Sequence, residues 1–324
     1  MKVAFDSRPA ADYRGVGRYA RCLLEALREN GHGDVVESHD PRRFDVFHAP
    51  WIDGALLRSP VPMVVTLHDL IPLKRRGEYL RSGLRFRLRY LAVQRAVRVI
   101  VPTRAVADDA ITHLEIPADR LVVINEAAAA AFHPRSEQEV DAVRRRYGLP
   151  SDYLLWVGGL KVPDPRKRVA ALARTARTMP LVLAGQTGRW AKELPDVMLT
   201  GAVSDDDLAA IYTGAHALVF PSDDEGFGLP PVEALACGAP VVTCDVPALR
   251  EVLDGRATFA AVDDLDSLVA AAEAAERPAP APPPWTWRDA AETTWEVYEE
   301  AAAAPPAWRG ARRRRPRSVD GGED

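Results

Sequence analysis

The strongest constraint on the fold is an alternation of short apolar runs with helical segments along nearly the whole chain. Nine runs are short, rich in apolar and often β-branched side chains, and bounded by Gly, Pro or Asp, as buried strands are. They are 3–5, 46–48, 63–67, 99–101, 121–124, 153–157, 181–184, 217–220 and 240–243. Apolar strands separated by helices predict parallel sheets that are covered by helices on both faces.

The helical segments and the breakers between them predict two domains. Helices are expected at 18–29, 83–98, 169–178, 205–212, 231–237 and 265–276. A charged helix is followed by a breaker cluster at 147–151, which marks a hinge between a domain at 1–148 and a domain at 149–284. The 324 residues agree with about two domains of roughly 150 residues each. A further amphipathic helix is expected at 285–304, and the Arg-rich tail 305–324 is expected to be disordered.

Composition excludes several classes of protein. Apolar residues make up 47% and charged residues 27% of the chain, which excludes a disordered or collagen-like protein. No apolar run approaches the ~20 residues that span a bilayer, and Asp6 follows the N-terminus too soon for a signal peptide. Three cysteines do not make a disulfide framework or a metal-ligand spacing. We therefore expect a cytoplasmic protein.

Charge is concentrated in one segment. The net charge is −4, yet residues 74–98 hold nine Lys or Arg and one Glu. An acidic body with one basic stretch is not typical of nucleic-acid binders. Within the stretch, Arg81, Arg85 and Arg89 form a stripe at i, i+4 spacing. This predicts either an ordinary surface helix with snorkelling Arg side chains or a contact with an acidic acceptor or the inner face of a membrane.

The most specific motif lies at 221–242, between a predicted strand and a predicted helix. Glu225 precedes a loop that holds Gly226 and Gly228, and Glu233 lies in the first turn of the helix. Ligands of parallel sheets bind at this edge, where helix N–H groups attract phosphate. The two glutamates could therefore face one cleft. Alternatively, Glu233 complements the helix dipole and Glu225 is solvated.

A second motif at 156–168 combines a Gly-Gly turn with three cations, Arg166, Lys167 and Arg168, at a helix start. A leaving diphosphate needs cations and N–H donors to stabilise its charge. Cations at this end of a helix oppose its dipole, so a functional reason for them is expected. The alternative is a solvated basic helix start.

Two further motifs follow strands of the first half. His68 lies after the strand 63–67, where it could bind a substrate or titrate near neutrality, although a lone His is usually structural. His48 is a weaker case, because it could simply end a strand. Gly15 and Gly17 follow the first strand at a distance too long for the tight turn of a nicotinamide-binding fold, even though Asp34 has roughly the acid spacing of that fold.

Together these motifs closely resemble those of the retaining glycosyltransferases of family 4, from Met1 to about Ala304. The resemblance implies an α/β protein of the GT-B fold, in which two doubly wound Rossmann-like domains face each other across a cleft. It implies that the first domain takes the acceptor and the second the nucleotide-sugar donor. The last helix, 285–304, is expected to cross back onto the first domain.

The resemblance also implies roles for individual residues. Glu233 would bind the ribose hydroxyls, and Glu225 would contact the sugar ring near the reacting phosphate. Lys167 matches the phosphate-binding Lys of the family, while Gly159 stands where many members carry Arg, so Arg166 or Lys161 would replace that cation. Catalytic residues would be His68, Glu225 and Lys167. Donor-binding residues would be Gly15, Gly17, Arg166, Lys167, Glu225, Gly226, Phe227, Gly228, Leu229 and Glu233.

The expected reaction is transfer of a sugar, mannose- or rhamnose-like, from a nucleotide-sugar to a glycan, lipid-linked or small-molecule acceptor. No cofactor and no metal are expected, because cations can neutralise the diphosphate and Asp205–Asp207 reads as a helix start after Ser204. Asn125-Glu126 departs from the Asn-Gly turn that is common in the family. The competing interpretations are a glycosyltransferase-like subunit that binds without catalysis and, less well supported, a nicotinamide-dependent oxidoreductase.

Overall fold

The fold rests on two six-stranded sheets whose strands are all parallel. This computed structural model describes residues 1–12, 15–31, 33–75, 77 and 84–304, with only the backbone at 84–86. The tail 305–324 and the positions of Arg76 and Arg81 lie outside the described residues. The predicted doubly wound α/β architecture is confirmed, since each half of the chain forms its own sheet.

The first sheet has the strand order β2-β1-β3-β4-β5-β6. Its strands are β1 (Lys2–Phe5), β2 (Asp34–Glu37), β3 (Val46–Ala49), β4 (Met63–Thr66), β5 (Arg98–Val101) and β6 (Leu121–Val123). The second sheet has the order β12-β11-β10-β7-β8-β9. Its strands are β7 (Leu154–Val157), β8 (Leu181–Ala184), β9 (Val197–Gly201), β10 (Ala217–Phe220), β11 (Val241–Cys244) and β12 (Thr258–Ala260).

Helices connect the strands within each sheet, one helix lies between the two sheets in the chain, and one helix follows the second sheet. In the first half they are α1 (Gly15–Glu29), α2 (Ile71–Lys74), α3 (Leu84–Val93), α4 (Arg104–Leu114) and α5 (Glu137–Tyr147). In the second half they are α6 (Val169–Leu172), α7 (Asp205–Gly214), α8 (Leu229–Ala236), α9 (Pro247–Leu253), α10 (Leu265–Glu273) and α11 (Trp287–Ala303). The predicted cap of α7 is confirmed, because the Ser204 side chain accepts the Asp207 N–H.

The core follows the alternation of side chains along each strand. In β1, Val3 and Phe5 face a cluster with α1 and α11, whereas Ala4 faces the opposite cluster with α3 and α4. The second sheet is enclosed by a single cluster that includes Trp156. Both faces of each sheet are therefore buried, which is why its central strands read as continuous apolar runs.

Helix α11 packs on the first sheet rather than on the second. The cluster that α1 forms on that sheet also includes Trp287, Trp295 and Tyr298. The rings of Trp295 and Tyr298 pack edge to face. The helix begins with a capping box in which Thr286 and Asp289 bind each other's backbone N–H groups. The chain thus returns to the first sheet after completing the second.

Two helix predictions were wrong in extent. The segment 83–98 is helical only to Val93, because β5 already begins at Arg98. The segment 169–178 forms one turn, α6, and then turns away. In the second case the Glu273 carboxylate accepts the N–H groups of Thr178 and Met179, which a longer helix would have used itself.

Candidate active site

The loop between β10 and α8 brings the acidic motif to the carboxyl edge of the second sheet. It ends at Gly228, which has a φ of 98° and immediately precedes α8. A Cβ at Gly228 would lie 2.5 Å from Leu249 Cδ2. The left-handed backbone therefore favours glycine here, and any larger residue would also require Leu249 to shift. Of the first three residues of α8, Leu229, Pro230 and Pro231, only Leu229 carries a backbone N–H group, so N–H donors for a phosphate at this edge would come from Leu229 and from the loop before it.

The same loop meets the first sheet across a cleft. A Cβ at Gly226 would lie 1.8 Å from the His68 carbonyl oxygen, and the Thr103 hydroxyl donates to the Gly226 carbonyl at 2.9 Å. His68 follows β4 and Thr103 follows β5, so both lie at the carboxyl edge of the first sheet. The structure therefore brings His68 together with the donor motif of the other domain.

Glu225 is paired with Arg166 in a partly enclosed position. Arg166 Nη1 lies 2.5 Å from Glu225 Oε2 and also donates to the Asp224 carbonyl at 3.1 Å. Burial alone would lower the pKa of Arg166, but the charges of Glu225, Asp69 and Asp164 outweigh it and raise the pKa above its usual value. The guanidinium is thus a fixed cation beside the acid that resembles the sugar-contacting Glu.

Glu233 is fully buried and is bound from the opposite domain. Arg18 on α1 donates through Nη1 to Glu233 Oε1 and through Nη2 to Asp205, and the Tyr212 hydroxyl donates to Glu233 Oε2 at 3.1 Å. Burial raises the pKa of Glu233, although Arg18 and Tyr212 oppose the shift. Glu233 therefore lies at the contact between the two domains, and its carboxylate has an ionic partner.

His68 is held by partners at both ring nitrogens. Nδ1 lies 3.1 Å from Glu126 Oε1, and Nε2 lies 2.9 Å from the Pro50 carbonyl. The Tyr19 ring packs edge-on against it with centroids 4.6 Å apart. Burial alone would lower the pKa of His68, but Glu126 outweighs it and raises the pKa above 6.5.

His48, the weaker candidate, lies inside β3 and is fully buried. Its Nδ1 is 2.6 Å from the Tyr298 hydroxyl and its Nε2 is 2.9 Å from Thr66 Oγ1. Burial lowers the pKa of His48 to about 3, so the ring is neutral at physiological pH. Its neighbours assign it to the packing of α11 on the first sheet.

Lys167 lies at the edge of the second sheet, as predicted for its motif. Its Nζ is 5.9 Å from the centre of the Trp156 ring. A Cβ at Gly158 would lie 3.3 Å from the same Nζ atom. Arg166 points to Glu225, whereas Lys161 is exposed. Of the two candidates for the missing cation, Arg166 is the one that the structure brings to the acidic motif.

The N-terminal glycines differ in their surroundings. A Cβ at Gly17 would lie 1.8 Å from the Asp12 carbonyl, so packing within the first domain already requires glycine there. Gly15 lies across the cleft from Leu229, whose Cδ1 would be 3.9 Å from its Cβ. Leu229 and Phe227 are themselves buried. Donor contacts of these residues stay predictions.

Three charged residues around the cleft were not predicted from the sequence as site residues. Arg18 follows Gly17 directly, and Glu126 is the residue at which the chain departs from the Asn-Gly turn. Asp6 is fully buried and pairs with Arg8, while it also accepts from Trp51 Nε1 at 3.1 Å. Their position directly after strands or glycine loops of the first sheet was the available signal. Their partners lie 45 to 215 residues away, except for Arg8.

Six cations of the basic segment have side chains that the structure describes, and four of them are paired within the protein: Lys74, Arg75, Arg89 and Arg98. Arg75 binds Asp223 across the cleft at 2.6 Å, and Lys74 lies 2.9 Å from Asp224. Arg89, one member of the predicted stripe, binds Asp53 at 2.6 Å. Lys74 and Arg75 therefore link the two domains, whereas Arg89 forms a contact within the first domain. A membrane contact of the segment stays a prediction.

No group of three His, Cys, Asp or Glu side chains suited to a metal ion occurs among the residues that the structure describes. Within the same residues, no helix combines the length and apolar character needed to cross a membrane. The expected independence from metals is not tested by these observations and stays a prediction.

Comparison with known proteins identifies the family. The family model described as Glycosyltransferase Family 4 matches residues 34–128, and the model described as Glycosyl transferases group 1 matches residues 151–276. A D-inositol 3-phosphate glycosyltransferase of Thermobispora bispora is 30% identical over 314 residues, which cover 81% of this chain and 72% of that protein. The chain belongs to glycosyltransferase family 4.

Other relatives match this chain over only part of their own length. The serotype-specific mannosyltransferase WbdA of Escherichia coli is 30% identical over 220 residues, which cover 60% of this chain. The chain spans about a quarter of WbdA, since the match covers 26% of it.

Solved structures show the same fold. Anabaena Alr3699/HepE in complex with UDP-glucose matches with a TM-score of 0.65 at 16% identity, over 85% of this chain and 89% of that one. WaaG, a glycosyltransferase involved in lipopolysaccharide biosynthesis, matches with a TM-score of 0.61 at 16% identity, over 93% of this chain and 98% of that one. The predicted GT-B fold is thereby confirmed.

Proposed function

We propose that this chain transfers a sugar from a nucleotide-sugar donor to an acceptor with retention of the anomeric configuration. The observation that carries the proposal is the meeting of the Glu225–Arg166 pair, at the edge of one sheet, with His68 at the facing edge of the other. The loop and Leu229 at the start of α8 add backbone N–H donors beside them. Cations and N–H donors are what a leaving diphosphate requires for stabilisation.

Each residue takes the role that its motif implies. Glu233 binds the ribose hydroxyls, Glu225 contacts the sugar ring, and Lys167 with Arg166 holds the diphosphate. Because Arg18 is bound to Glu233, a ribose that binds this carboxylate would have to displace that contact. Backbone N–H groups of Gly226, Phe227, Gly228 and Leu229 hold sugar and phosphate oxygens. The backbone at Gly15 and Gly17 approaches the donor from the first domain.

A mannose- or rhamnose-like sugar is supported by relatives named as mannosyltransferases. A nucleotide-sugar donor is supported by the UDP-glucose complex of a protein with the same fold. The acceptor is a glycan, a lipid-linked group or a small molecule. No metal is required in this proposal, because Arg166 and Lys167 supply the positive charge.

Retention is proposed to occur by front-face transfer, in which the leaving phosphate accepts the proton of the acceptor. A double displacement would need a carboxylate nucleophile close beneath the anomeric carbon. The family resemblance places Glu225 beside the sugar ring rather than beneath it, and Glu225 is paired with Arg166. Of the acids near His68, Glu126 is bound to His68 and Asp69 accepts the Ile71 N–H at 3.2 Å. The protein then contributes electrostatics, positioning and exclusion of water.

The test is nucleotide release from a panel of GDP-, UDP-, ADP- and dTDP-sugars with glycan, lipid-linked and simple-sugar acceptors. At least one donor should turn over, and Glu225→Gln should lower that rate roughly a hundredfold, as loss of a transition-state contact does. Glu193→Gln, at an exposed glutamate of the same domain, should match the wild type.

The competing function, a binding subunit without catalysis, predicts a different result. It would show thermal stabilisation by a nucleotide-sugar and no nucleotide release with any acceptor in the panel. That outcome would overturn the proposal.

A further inference from the structure

Glu126 is a buried carboxylate whose bonded partner is a residue of the proposed site. It lies just after β6, and its Oε1 is 3.1 Å from His68 Nδ1. It is followed by five alanines, at 127–131, so the carboxylate is embedded in an otherwise apolar loop. Burying a carboxylate is costly unless it is paired and hydrogen-bonded. The pairing with His68 is therefore the physical reason that this loop tolerates Glu126.

The contacts on the two sides of the His68 ring determine where its protons lie. The Pro50 carbonyl can only accept, so Nε2 must carry a hydrogen to make its 2.9 Å contact. The contact between Nδ1 and the Glu126 carboxylate needs one further proton between its atoms. A proton on Nδ1 makes an imidazolium–carboxylate pair, whereas a proton on Glu126 makes a neutral pair.

The charges around the ring favour the imidazolium. Asp69 is the next residue in the chain and adds a second carboxylate, while His48 is neutral and adds no charge. Tyr19 contributes the edge of its ring, and its own hydroxyl is engaged with Thr66 at 2.9 Å. The net result of these neighbours is that the pKa of His68 is raised above 6.5, even though burial alone would lower it.

We propose that Glu126 is a positioning residue that holds His68 as an imidazolium, with its Nε2–H directed along the carboxyl edge of the first sheet. The inference rests on the proposed function, in which His68 lies at the edge of the first sheet that faces the Glu225–Arg166 pair. A substrate hydroxyl that enters beside the ring takes over the Nε2–H from the Pro50 carbonyl. Because the donor is charged, this hydrogen bond is shorter and roughly twice as strong as a neutral one. No proton leaves the pair during the reaction.

The sharpest test is Glu126→Gln, which keeps the size of the side chain and an oxygen that accepts from Nδ1–H but removes the negative charge. Protein labelled at histidine is titrated by NMR, with the His68 signals assigned through His68→Gln. In the wild type His68 should titrate above 6.5, and in Glu126→Gln its pKa should fall by about one unit or more, as expected when an opposite charge within ~4 Å is lost. Glu126→Asp, which retains the charge, should restore part of the shift.

Glu137→Gln provides the matched control, because Glu137 is an exposed glutamate a few residues further along the chain. Its His68 titration should equal that of the wild type. Circular dichroism and thermal melting establish that each variant is folded. If a folded Glu126→Gln variant leaves the titration of His68 unchanged, the pair does not determine the protonation of the ring and the inference is overturned.

A second measurement separates this inference from the proposed function. Sugar-transfer rates are measured against pH for the wild type and Glu126→Gln. The alkaline limb should move to lower pH in the variant, in step with the NMR titration, and KM for the donor should rise. If the titration moves but the pH profile does not, the positioning role is wrong while the glycosyltransferase function stands. If no donor turns over even in the wild type, the function fails, and the NMR titration still decides the protonation of the pair.

Discussion

Arg18 is predicted to hold the cleft closed, and Arg18→Met removes its charge while keeping an unbranched side chain. The guanidinium crosses from α1 to Glu233 on α8 and to Asp205 at the start of α7. The side chain of Arg18 is 12% exposed and that of Glu233 is 0% exposed. The pair therefore joins two domains through contacts that are almost completely removed from water.

The size of the effect follows from burial. Removing one partner of a buried ion pair costs about 3–5 kcal/mol, because the other charge is left without compensation. The contact with Asp205 adds little, since Asp205 is 41% exposed and exposed pairs contribute ~0–1 kcal/mol. We therefore expect the loss of Arg18 to destabilise the closed form by about 3 kcal/mol and to leave the stability of the open form unchanged. Opening the cleft hydrates Glu233, so the ratio of closed to open molecules should fall by a factor on the order of a hundred.

Small-angle X-ray scattering of the nucleotide-free protein measures this change. Arg18→Met should have a larger radius of gyration than the wild type, with little change in its far-ultraviolet circular dichroism. Arg28→Met is the matched control, because Arg28 lies on the same helix and binds Glu37 of its own domain at 2.9 Å. The control should scatter like the wild type.

The pH dependence of the opening has a definite sign. Burial already holds the pKa of Glu233 above 4.5, and loss of Arg18 removes the charge that opposes this shift. The closed form therefore binds a proton more tightly than the open form, in which Glu233 is solvated. Arg18→Met should close again as pH falls towards 4.5 and Glu233 is protonated. Scattering identical to the wild type at neutral pH, from a folded variant, would refute the reasoning.

Three further predictions concern the reaction itself. Glu233→Ala should weaken nucleotide binding by about 1.5–3 kcal/mol, the range of a hydrogen bond to a charged group; unchanged affinity in calorimetry would contradict the ribose assignment. Lys167→Ala should lower turnover more than it lowers the melting temperature, because the leaving diphosphate gains charge in the transition state; wild-type turnover would shift the role to Arg166 or Lys161. NMR of the anomeric proton of the product, from a donor of known configuration, should show retention, and an inverted product would refute the front-face mechanism.

The basic segment illustrates what a charge pattern leaves open. Its charge predicted either an ordinary surface helix or contact with an anionic partner, and neither prediction anticipated pairing across the cleft. Lys74 and Arg75 meet Asp224 and Asp223, which belong to the acidic motif of the other domain. The spacing of charges along a helix identifies neighbours on that helix, but it carries no information about residues 150 positions away.

The sequence by itself determined the central strands of both sheets and the placement of the main motifs at their carboxyl edges. Because those strands are buried on both faces, each consists of a nearly continuous run of apolar residues. The three strands that were not predicted, β2, β9 and β12, all lie at sheet edges. An edge strand has only one neighbour and is partly exposed, as these three are, so its pattern is weaker.

Only the tertiary structure decided how the motifs are paired across the cleft. The sequence could place Glu233 at a helix start and His68 after a strand, because both signals are local. It could not show that Arg18 binds Glu233 or that Glu126 binds His68, since 215 and 58 residues separate these partners. Such contacts exist because the two sheets present their carboxyl edges to each other. The protonation of Glu233 and His68 depends on burial and on charges from other elements, and both arise from that arrangement.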